Sequence, residues 1–238
     1  FDGRGSECEA AIESADRTQT TLRVTQSVEP VPEPAVKVTL FQSIPRGDAM
    51  ERVIQKCVEI GVSEIVPVIT RRTVARPRGG QGAKLARWRK IALHAVEQSG
   101  RARLVPVAGP VAVETVVERV PSFDLALVPH IGDAAVGAAP TRRNATRSTV
   151  IQSEAQRSEE SRPRFGGSTP LGEVLGACPK AASVAVAIGP EGGFSPEEIE
   201  RFAAAGARVV SLGPRVLRSE TAGLVAATIV LYHFGEMH

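Results

Sequence analysis

The sequence predicts an α/β protein built on a parallel sheet and preceded by a small β-rich segment. From about residue 36 onward, short apolar runs alternate with longer amphipathic stretches, the pattern of a parallel sheet covered by helices on both faces. In the last two strand–helix pairs, glycine-bearing loops join strand to helix, at residues 189–194 and 212–218. Strands of a parallel sheet end at one edge, so both loops are expected there, where open α/β sheets bind ligands.

Residues 1–33 are predicted to form a separate β-domain. Glu7–Ile12 and Thr20–Val28 have the composition of strands, the second being rich in Thr and Val. Three prolines in the stretch 29–34 predict a stiff, extended linker, so the second domain is expected to cover residues 34–238. The chain begins at Phe1 rather than at a methionine, and we expect the natural N-terminus to lie further upstream.

Beyond the linker, the apolar pattern predicts five strands alternating with helices. The strands are expected at residues 36–41, 64–69, 125–128, 184–188 and 208–212. The helices are expected at residues 48–60, 84–99, 111–120, 196–206 and 219–233. Trp88 lies on the apolar face of its helix with Leu85 and Ala92, which favours a core position over a base-stacking role.

The start of the fourth helix is marked by its capping residues. Ser195 is a natural N-cap, Pro196 occupies the first helical position and Glu198 the third. This arrangement predicts a capping box, with acidic groups at the positive end of the helix.

The charge is strongly segregated along the chain. Residues 1–34 hold three Arg against seven Asp and Glu, whereas residues 71–104 hold ten Lys and Arg against one Glu. A one-sided basic block is typical of a nucleic-acid partner, although a solvated helix face explains it equally well. The candidate phosphate ligands are the arginines of the loop after the second strand, because guanidinium groups bind phosphate through paired hydrogen bonds. They are Arg71, Arg72, Arg76 and Arg78.

The composition indicates an intracellular protein. Of the 238 residues, 42% are hydrophobic, enough for one sizeable core with a small appendage. No run reaches the roughly 18 apolar residues of a membrane span, and no signal peptide is visible. The three cysteines are scattered and have no metal-ligand spacing, so we expect a reducing cytoplasm and no metal.

The residues of the first glycine loop narrow the class of ligand. The Walker pattern and the dinucleotide pattern are both missing, and the stretch from Ser183 to Glu200 contains no basic residue. Such a loop suits a ligand bound through backbone groups, and its carboxylate tolerates a cation better than a polyphosphate. S-adenosylmethionine, a nucleoside that carries a sulfonium, meets this description.

Two long motifs carry a family resemblance. Ile-Gly-Pro-Glu-Gly-Gly-Phe-Ser at residues 188–195 and Leu-Gly-Pro-Arg-Val-Leu-Arg-Ser-Glu-Thr-Ala at residues 212–222 resemble the RsmE family of SPOUT-class methyltransferases. These enzymes use S-adenosylmethionine to methylate N3 of a uridine in small-subunit (16S) ribosomal RNA. The resemblance implies a C-terminal trefoil knot, an obligate homodimer, and a PUA-like β-domain of which residues 1–33 are the later portion. It also implies that the substrate is the RNA of the assembled 30S particle.

The resemblance also implies site residues. The cofactor is expected at Pro129, Ile188, Gly189, Pro190, Glu191, Gly192, Gly193, Leu212, Gly213, Val216, Leu217 and Arg218. The segment Glu-Gln-Ser-Gly-Arg at residues 97–101 is similar to a family segment near the target base. Glu97 and Arg101 are therefore catalytic candidates, with Arg218 as a second cation for the uridine anion and Arg101 also as an RNA contact. As ordinary structure, Gly100 would be a helix C-cap and Arg101 would complement the helix dipole.

Other interpretations stay open. Residues 137–167 are unlike the family and have no periodicity, which predicts a disordered or mobile insertion. A catalytically silent RNA-binding protein of the same fold would explain the basic block but not the two loops. A nucleotide-dependent enzyme would need the missing third glycine of a dinucleotide site, and an ordinary α/β sheet with two tight turns would need no ligand at all.

Overall fold

The computed structural model describes residues 1–73, 81–130 and 168–237. The expected insertion at residues 137–167 and the candidate RNA ligands Arg76 and Arg78 lie outside these ranges.

The described chain contains one large parallel sheet and one small antiparallel hairpin. The hairpin consists of β1 (Glu7–Ala15) and β2 (Thr20–Val28). The strands of the large sheet are β3 (Lys37–Ser43), β4 (Glu64–Ile69), β5 (Val111–Ala112), β6 (Leu125–Pro129), β7 (Thr169–Pro170), β8 (Ser183–Ile188) and β9 (Arg208–Ser211). Their order is β5-β4-β3-β8-β6-β9-β7, and every neighbouring pair is parallel. The predicted parallel α/β sheet is therefore confirmed.

In the described ranges, six α-helices connect and cover the strands. They are α1 (Ala49–Glu59), α2 (Gln81–Gln98), α3 (Val113–Arg119), α4 (Leu171–Gly176), α5 (Pro196–Ala204) and α6 (Ser219–His233). Where a helix was predicted to begin at residue 111, the chain first forms strand β5. The two-residue strands β5 and β7 and the short helix α4 were not predicted, because segments of that length show no periodicity.

The core lies in two layers, one on each face of the sheet. Alternate residues of β3 point to opposite faces, so Leu40 packs with the layer of α1, α2 and α6, while Phe41 packs with the layer of α3 and α5. Trp88 is only 1% exposed and belongs to the first layer, as predicted. Burying an aliphatic or aromatic side chain of this size stabilises the fold by about 1.5–3 kcal/mol.

The β1–β2 hairpin projects from this body with both faces open. Ile12, Leu22 and Val24 are 70%, 55% and 63% exposed, respectively. An isolated two-stranded ribbon is marginally stable at best, so the hairpin depends on its contacts with the rest of the described chain.

Two properties of the described residues bear on function. None of their helices combines the length and the apolar character needed to cross a bilayer. Within residues 1–73, 81–130 and 168–237, His, Cys, Asp and Glu side chains do not form a group of three or more that could hold a metal ion.

Candidate active site

The two glycine loops lie at the carboxyl edge of the sheet, as the sequence predicts. The first loop (residues 189–194) follows β8, and the second loop (residues 212–218) follows β9. Strand β6 pairs with both β8 and β9, so its end at Pro129 and His130 lies between the loops. Three strand ends therefore form one site edge, which contains every predicted cofactor residue: Pro129, Ile188, Gly189, Pro190, Glu191, Gly192, Gly193, Leu212, Gly213, Val216, Leu217 and Arg218.

The first loop is a tight turn that requires glycine at two positions. The Gly193 amide donates a 2.8 Å hydrogen bond to the Pro190 carbonyl oxygen, and Gly193 has a φ of +68°, which a residue with a Cβ adopts at a cost. At Gly189 the limit is space, because a Cβ there would lie 2.9 Å from the Phe194 nitrogen. The chain therefore folds back on itself more closely than any side chain permits.

Helix α5 continues from this turn with the predicted capping box. The Ser195 amide donates to Glu198 Oε2 at 2.7 Å, and the Glu198 amide donates to Ser195 Oγ at 3.3 Å. Glu198, only 3% exposed, also accepts a 3.0 Å bond from the Arg71 amide at Oε1. A hydrogen bond from Ser195 Oγ is the main cause that lowers the pKa of Glu197, with a smaller contribution from the charge of Arg71.

Two arginines from other loops hold the first loop in place. The Arg46 amide, after β3, donates to Glu191 Oε1 at 2.9 Å. Arg72, after β4, donates from Nη1 to the carbonyl oxygens of Gly192 at 2.8 Å and Phe194 at 3.4 Å. The sequence from Ser183 to Glu200 has no basic residue, yet the fold brings a guanidinium onto this loop. Sequence reasoning missed these contacts because they join positions more than a hundred residues apart.

A network of buried polar side chains bonds to the start of the first loop. Ser219 Oγ, at the start of α6, donates to the Gly189 carbonyl oxygen at 2.7 Å. Gln42, fully buried in β3, donates from Nε2 to Ser219 Oγ at 2.9 Å and to the Ser43 carbonyl oxygen at 3.2 Å. A Cβ at Gly223 would lie 2.5 Å from Gln42 Oε1, so glycine at that position makes room for the amide. The sequence signal for this network was Gln42 itself, a polar side chain directly after the apolar pair Leu40 and Phe41 of β3.

The second loop presents backbone and apolar groups. Gly213 has a φ of +107°, and a Cβ built there would have no neighbour within 4 Å. Its amide donates to Ser211 Oγ at 3.2 Å. Val216 is 70% exposed, and the exposed guanidinium of Arg218 stays 4.0 Å from the Glu220 carboxylate. The loop therefore offers one exposed apolar side chain and one exposed guanidinium at the carboxyl edge of the sheet.

The structure places Arg101, a predicted substrate-side residue, at the amino edge of the sheet. Arg101 is 7% exposed and pairs with Glu33, while its Nη1 donates to the carbonyl oxygens of Val58 and Val62 at 2.7 and 3.1 Å. These partners belong to the linker, to the end of α1 and to the segment between α1 and β4, at the amino edge of the sheet. Its guanidinium is thus occupied and lies at the edge opposite the glycine loops. Glu97, exposed near the end of α2, lies at the same amino edge.

The other predicted RNA ligands fall into two groups. Arg71 and Arg72 follow β4 at the carboxyl edge and are exposed. Arg76 and Arg78 lie outside the described residues. Arg71 Nη1 lies 3.6 Å from Glu197 Oε2 in the first turn of α5, and Arg72 Nη1 bonds to the first loop just before that helix.

Comparisons with known proteins add independent findings. The model of the RNA methyltransferase domain family matches residues 32–231. The chain is 32% identical to a ribosomal RNA small subunit methyltransferase E of a Synechocystis species, over 95% of this chain and 62% of that protein. It is also 32% identical to the Mycobacterium tuberculosis protein of that name, over 94% of this chain and 74% of that protein. A crystal structure of the Neisseria gonorrhoeae protein of that name, bound to S-adenosyl methionine, superposes with a TM-score of 0.72 at 27% identity, over all of this chain and 83% of that chain.

Proposed function

Because this chain belongs to the RNA methyltransferase family, we propose that it is an S-adenosylmethionine-dependent methyltransferase. Its proposed substrate is N3 of a specific uridine in small-subunit (16S) ribosomal RNA. Similar proteins carry the name ribosomal RNA small subunit methyltransferase E, and the chain spans 62% of the length of the Synechocystis relative.

The observation that carries the proposal is the chemistry of the two loops at one edge. S-adenosylmethionine presents a neutral adenine, ribose hydroxyls and a cationic sulfonium. Residues 189–194 and 212–218 offer backbone donors and acceptors beside exposed Val216 and a carboxylate at Glu191. Backbone groups suit adenine and hydroxyls, an apolar side chain suits a purine face, and a carboxylate favours a cation. The described residues therefore fit this ligand.

The proposed reaction needs alignment and charge stabilisation more than an acid or a base. S-adenosylmethionine supplies an electrophilic methyl group that a deprotonated uridine N3 can accept. We assign stabilisation of the uridine anion to Arg218, the exposed cation beside the second loop. We assign the proton to solvent, since the carboxylates of Glu197 and Glu198 already accept bonds at the start of α5. Arg72 and Ser219 hold the first loop rigid, so the loop would keep a bound methyl donor in a fixed position.

Arg71 and Arg72 are the proposed phosphate ligands at this edge, and Arg76 and Arg78 remain candidates. They begin the basic block at residues 71–104. A cationic segment beside the methyl donor would hold the RNA backbone while the base enters the site. The substrate is the RNA of the assembled 30S particle, and we place the enzyme in the cytoplasm.

The finer architecture is also part of the proposal. We propose a C-terminal trefoil knot of the SPOUT class, which the strand order supports, because β8 inserts between β3 and β6 and β9 returns beyond β6. The β1–β2 hairpin is the later portion of a PUA-like RNA-holding domain. A homodimer is supported by α6, whose sequence is apolar on all sides while its Tyr232 stays 69% exposed.

Calorimetric titration with S-adenosylmethionine, with NAD as the control, tests the cofactor assignment. We expect micromolar affinity for S-adenosylmethionine, about one site or fewer per chain and no binding of NAD. Absence of binding to S-adenosylmethionine would return the two loops to the status of ordinary turns, and binding of NAD would favour a nucleotide-dependent enzyme.

A further inference from the structure

We propose that Arg101 is a positioning residue that fixes the N-terminal domain on the methyltransferase domain, so that the hairpin holds RNA in a set orientation. The inference rests on the proposed function for the RNA-holding role of the hairpin. It gives the Glu-Gln-Ser-Gly-Arg segment a role at the amino edge of the sheet, away from the methyl donor.

The guanidinium of Arg101 joins three separate parts of the chain. Nε donates to Glu33 Oε1 at 3.1 Å, and Nη2 pairs with Glu33 Oε2. Nη1 donates to the carbonyl oxygens of Val58 and Val62. The linker, the end of α1 and the approach to β4 therefore meet on one side chain. We call Glu33, Val58, Val62 and Arg101 the linker joint.

The surrounding backbone is shaped for close contact with the linker. A Cβ at Gly61 would lie 2.7 Å from Pro34 Cγ, and Gly61 has a φ of +105°. On the other side, a Cβ at Gly100 would lie 3.8 Å from a methyl group of Val31. The linker thus packs between two glycine-bearing turns and is held there by the ion pair.

The start of the chain attaches directly after the joint. The Gly5 amide donates to the Ala102 carbonyl oxygen at 3.0 Å, and the Leu104 amide donates to the Gly3 carbonyl oxygen at 3.0 Å. Residues 100–104 therefore hold the N-terminal domain at both of its ends. Attachment at both ends fixes the orientation of the N-terminal domain. With one end free, the exposed hairpin would change its orientation relative to the sheet.

Arginine is specifically required by this geometry. The planar guanidinium presents donors in a fork, which here binds a carboxylate on one side and two carbonyl oxygens on the other. Lysine provides a single ammonium that cannot reach both sides. Removing one partner of a buried pair also leaves the other charge unpaired. In Arg101→Met the linker is therefore expected to detach from the turns that it packs against.

A distance measurement tests the orientation without any methyltransferase assay. Spin labels go on the native exposed Cys8 of β1 and on Lys90→Cys of α2, in a chain that also carries Cys178→Ser. We expect a narrow distance distribution in the otherwise unchanged chain and a broad one in Arg101→Met and Arg101→Lys. An unchanged narrow distribution in both variants would overturn the proposal.

The matched control is Arg119→Met. Arg119 pairs with Glu64 at 2.8 Å, also at the amino edge, but touches neither the linker nor the N-terminal residues in any described contact. We expect it to leave the distribution narrow, and equal broadening would show that loss of stability is the cause. Should Arg101→Met fail to fold, Glu33→Gln keeps the side-chain volume, weakens the same pair and must broaden the distribution.

Kinetics on unmodified small ribosomal subunits give the functional readout. A remote RNA contact that is equally strong in the ground state and in the transition state affects KM and not kcat. We therefore expect KM for the subunits to rise at least about five-fold in Arg101→Met, with kcat within about two-fold. The dissociation constant for S-adenosylmethionine should not change. A fall in kcat with unchanged KM would instead place Arg101 in the reaction and refute the positioning role. If the unchanged chain methylates nothing, the proposed function fails. The distance measurement still shows whether Arg101 fixes the orientation of the hairpin.

Discussion

Replacing Gly189 by alanine perturbs the first loop at its tightest point. The added Cβ would lie 2.9 Å from the Phe194 nitrogen, 3.1 Å from the Gly193 carbonyl carbon and 3.2 Å from its Cα. All three atoms belong to the backbone of the same turn, so the turn must open. Overpacking of this kind costs about 1–3 kcal/mol, which corresponds to roughly five- to 150-fold weaker binding if the cofactor needs the closed turn.

Gly192→Ala is the matched control in the same loop. Its Cβ would meet only Arg72 side-chain atoms, at 3.6 and 3.7 Å, which are ordinary contacts. Calorimetric titration with S-adenosylmethionine should give near-normal affinity for Gly192→Ala and the stated loss for Gly189→Ala. Thermal denaturation should show a fall of a few degrees in Gly189→Ala, since about 1 kcal/mol shifts the midpoint of a chain this long by roughly 2–4 °C. Equal affinities in the two variants would refute the role given to the closed turn.

Three further predictions follow from the same region and from the core. Ser219→Ala removes the donor to the Gly189 carbonyl and leaves Gln42 Nε2 bonded only to the Ser43 carbonyl oxygen; titration should show weaker S-adenosylmethionine binding, and wild-type affinity would contradict the supporting role. Glu198→Gln leaves one of two backbone amides poorly bonded and should lower the free energy of unfolding in urea by about 1–2 kcal/mol; an unchanged midpoint would mean that the cap contributes little. Burial raises the pKa of the Cys57 thiol to about 12, so at pH 8 it should resist alkylation while exposed Cys8 reacts; mass spectrometry of the modified peptides decides, and equal labelling would show that the core opens.

The fold class could be predicted from the sequence because the order of strands and helices follows from the local pattern of apolar residues. Near-continuous apolar runs separated by amphipathic helices specify a parallel sheet, and the five predicted strands differ from the observed ones by at most two residues at either end. The capping box of α5 was also predictable, because Ser195, Pro196 and Glu198 lie within one helical turn. Strands β5 and β7 were missed because each has two residues.

The site was predictable only in part, for a physical reason. The loops that form its edge are contiguous in sequence, so their residues could be named. The groups that hold those loops come from elsewhere in the chain: Gln42 from β3, and Arg46 and Arg72 from the loops after β3 and β4. Only the sheet order β4-β3-β8 brings them together. The surroundings of Arg101 could not be predicted either, since a short motif does not reveal that its guanidinium is buried against Glu33, far away in the sequence.

Methyl transfer to ribosomal RNA tests the central claim most directly. The chain is incubated with isotopically labelled S-adenosylmethionine and small ribosomal subunits that lack the modification, and the digested RNA is analysed by mass spectrometry against a 3-methyluridine standard. The account predicts about one labelled methyl group per subunit, recovered as 3-methyluridine. Absence of transfer despite cofactor binding would favour a silent RNA-binding protein, and label on another base atom or on a ribose hydroxyl would contradict the proposed N3 chemistry.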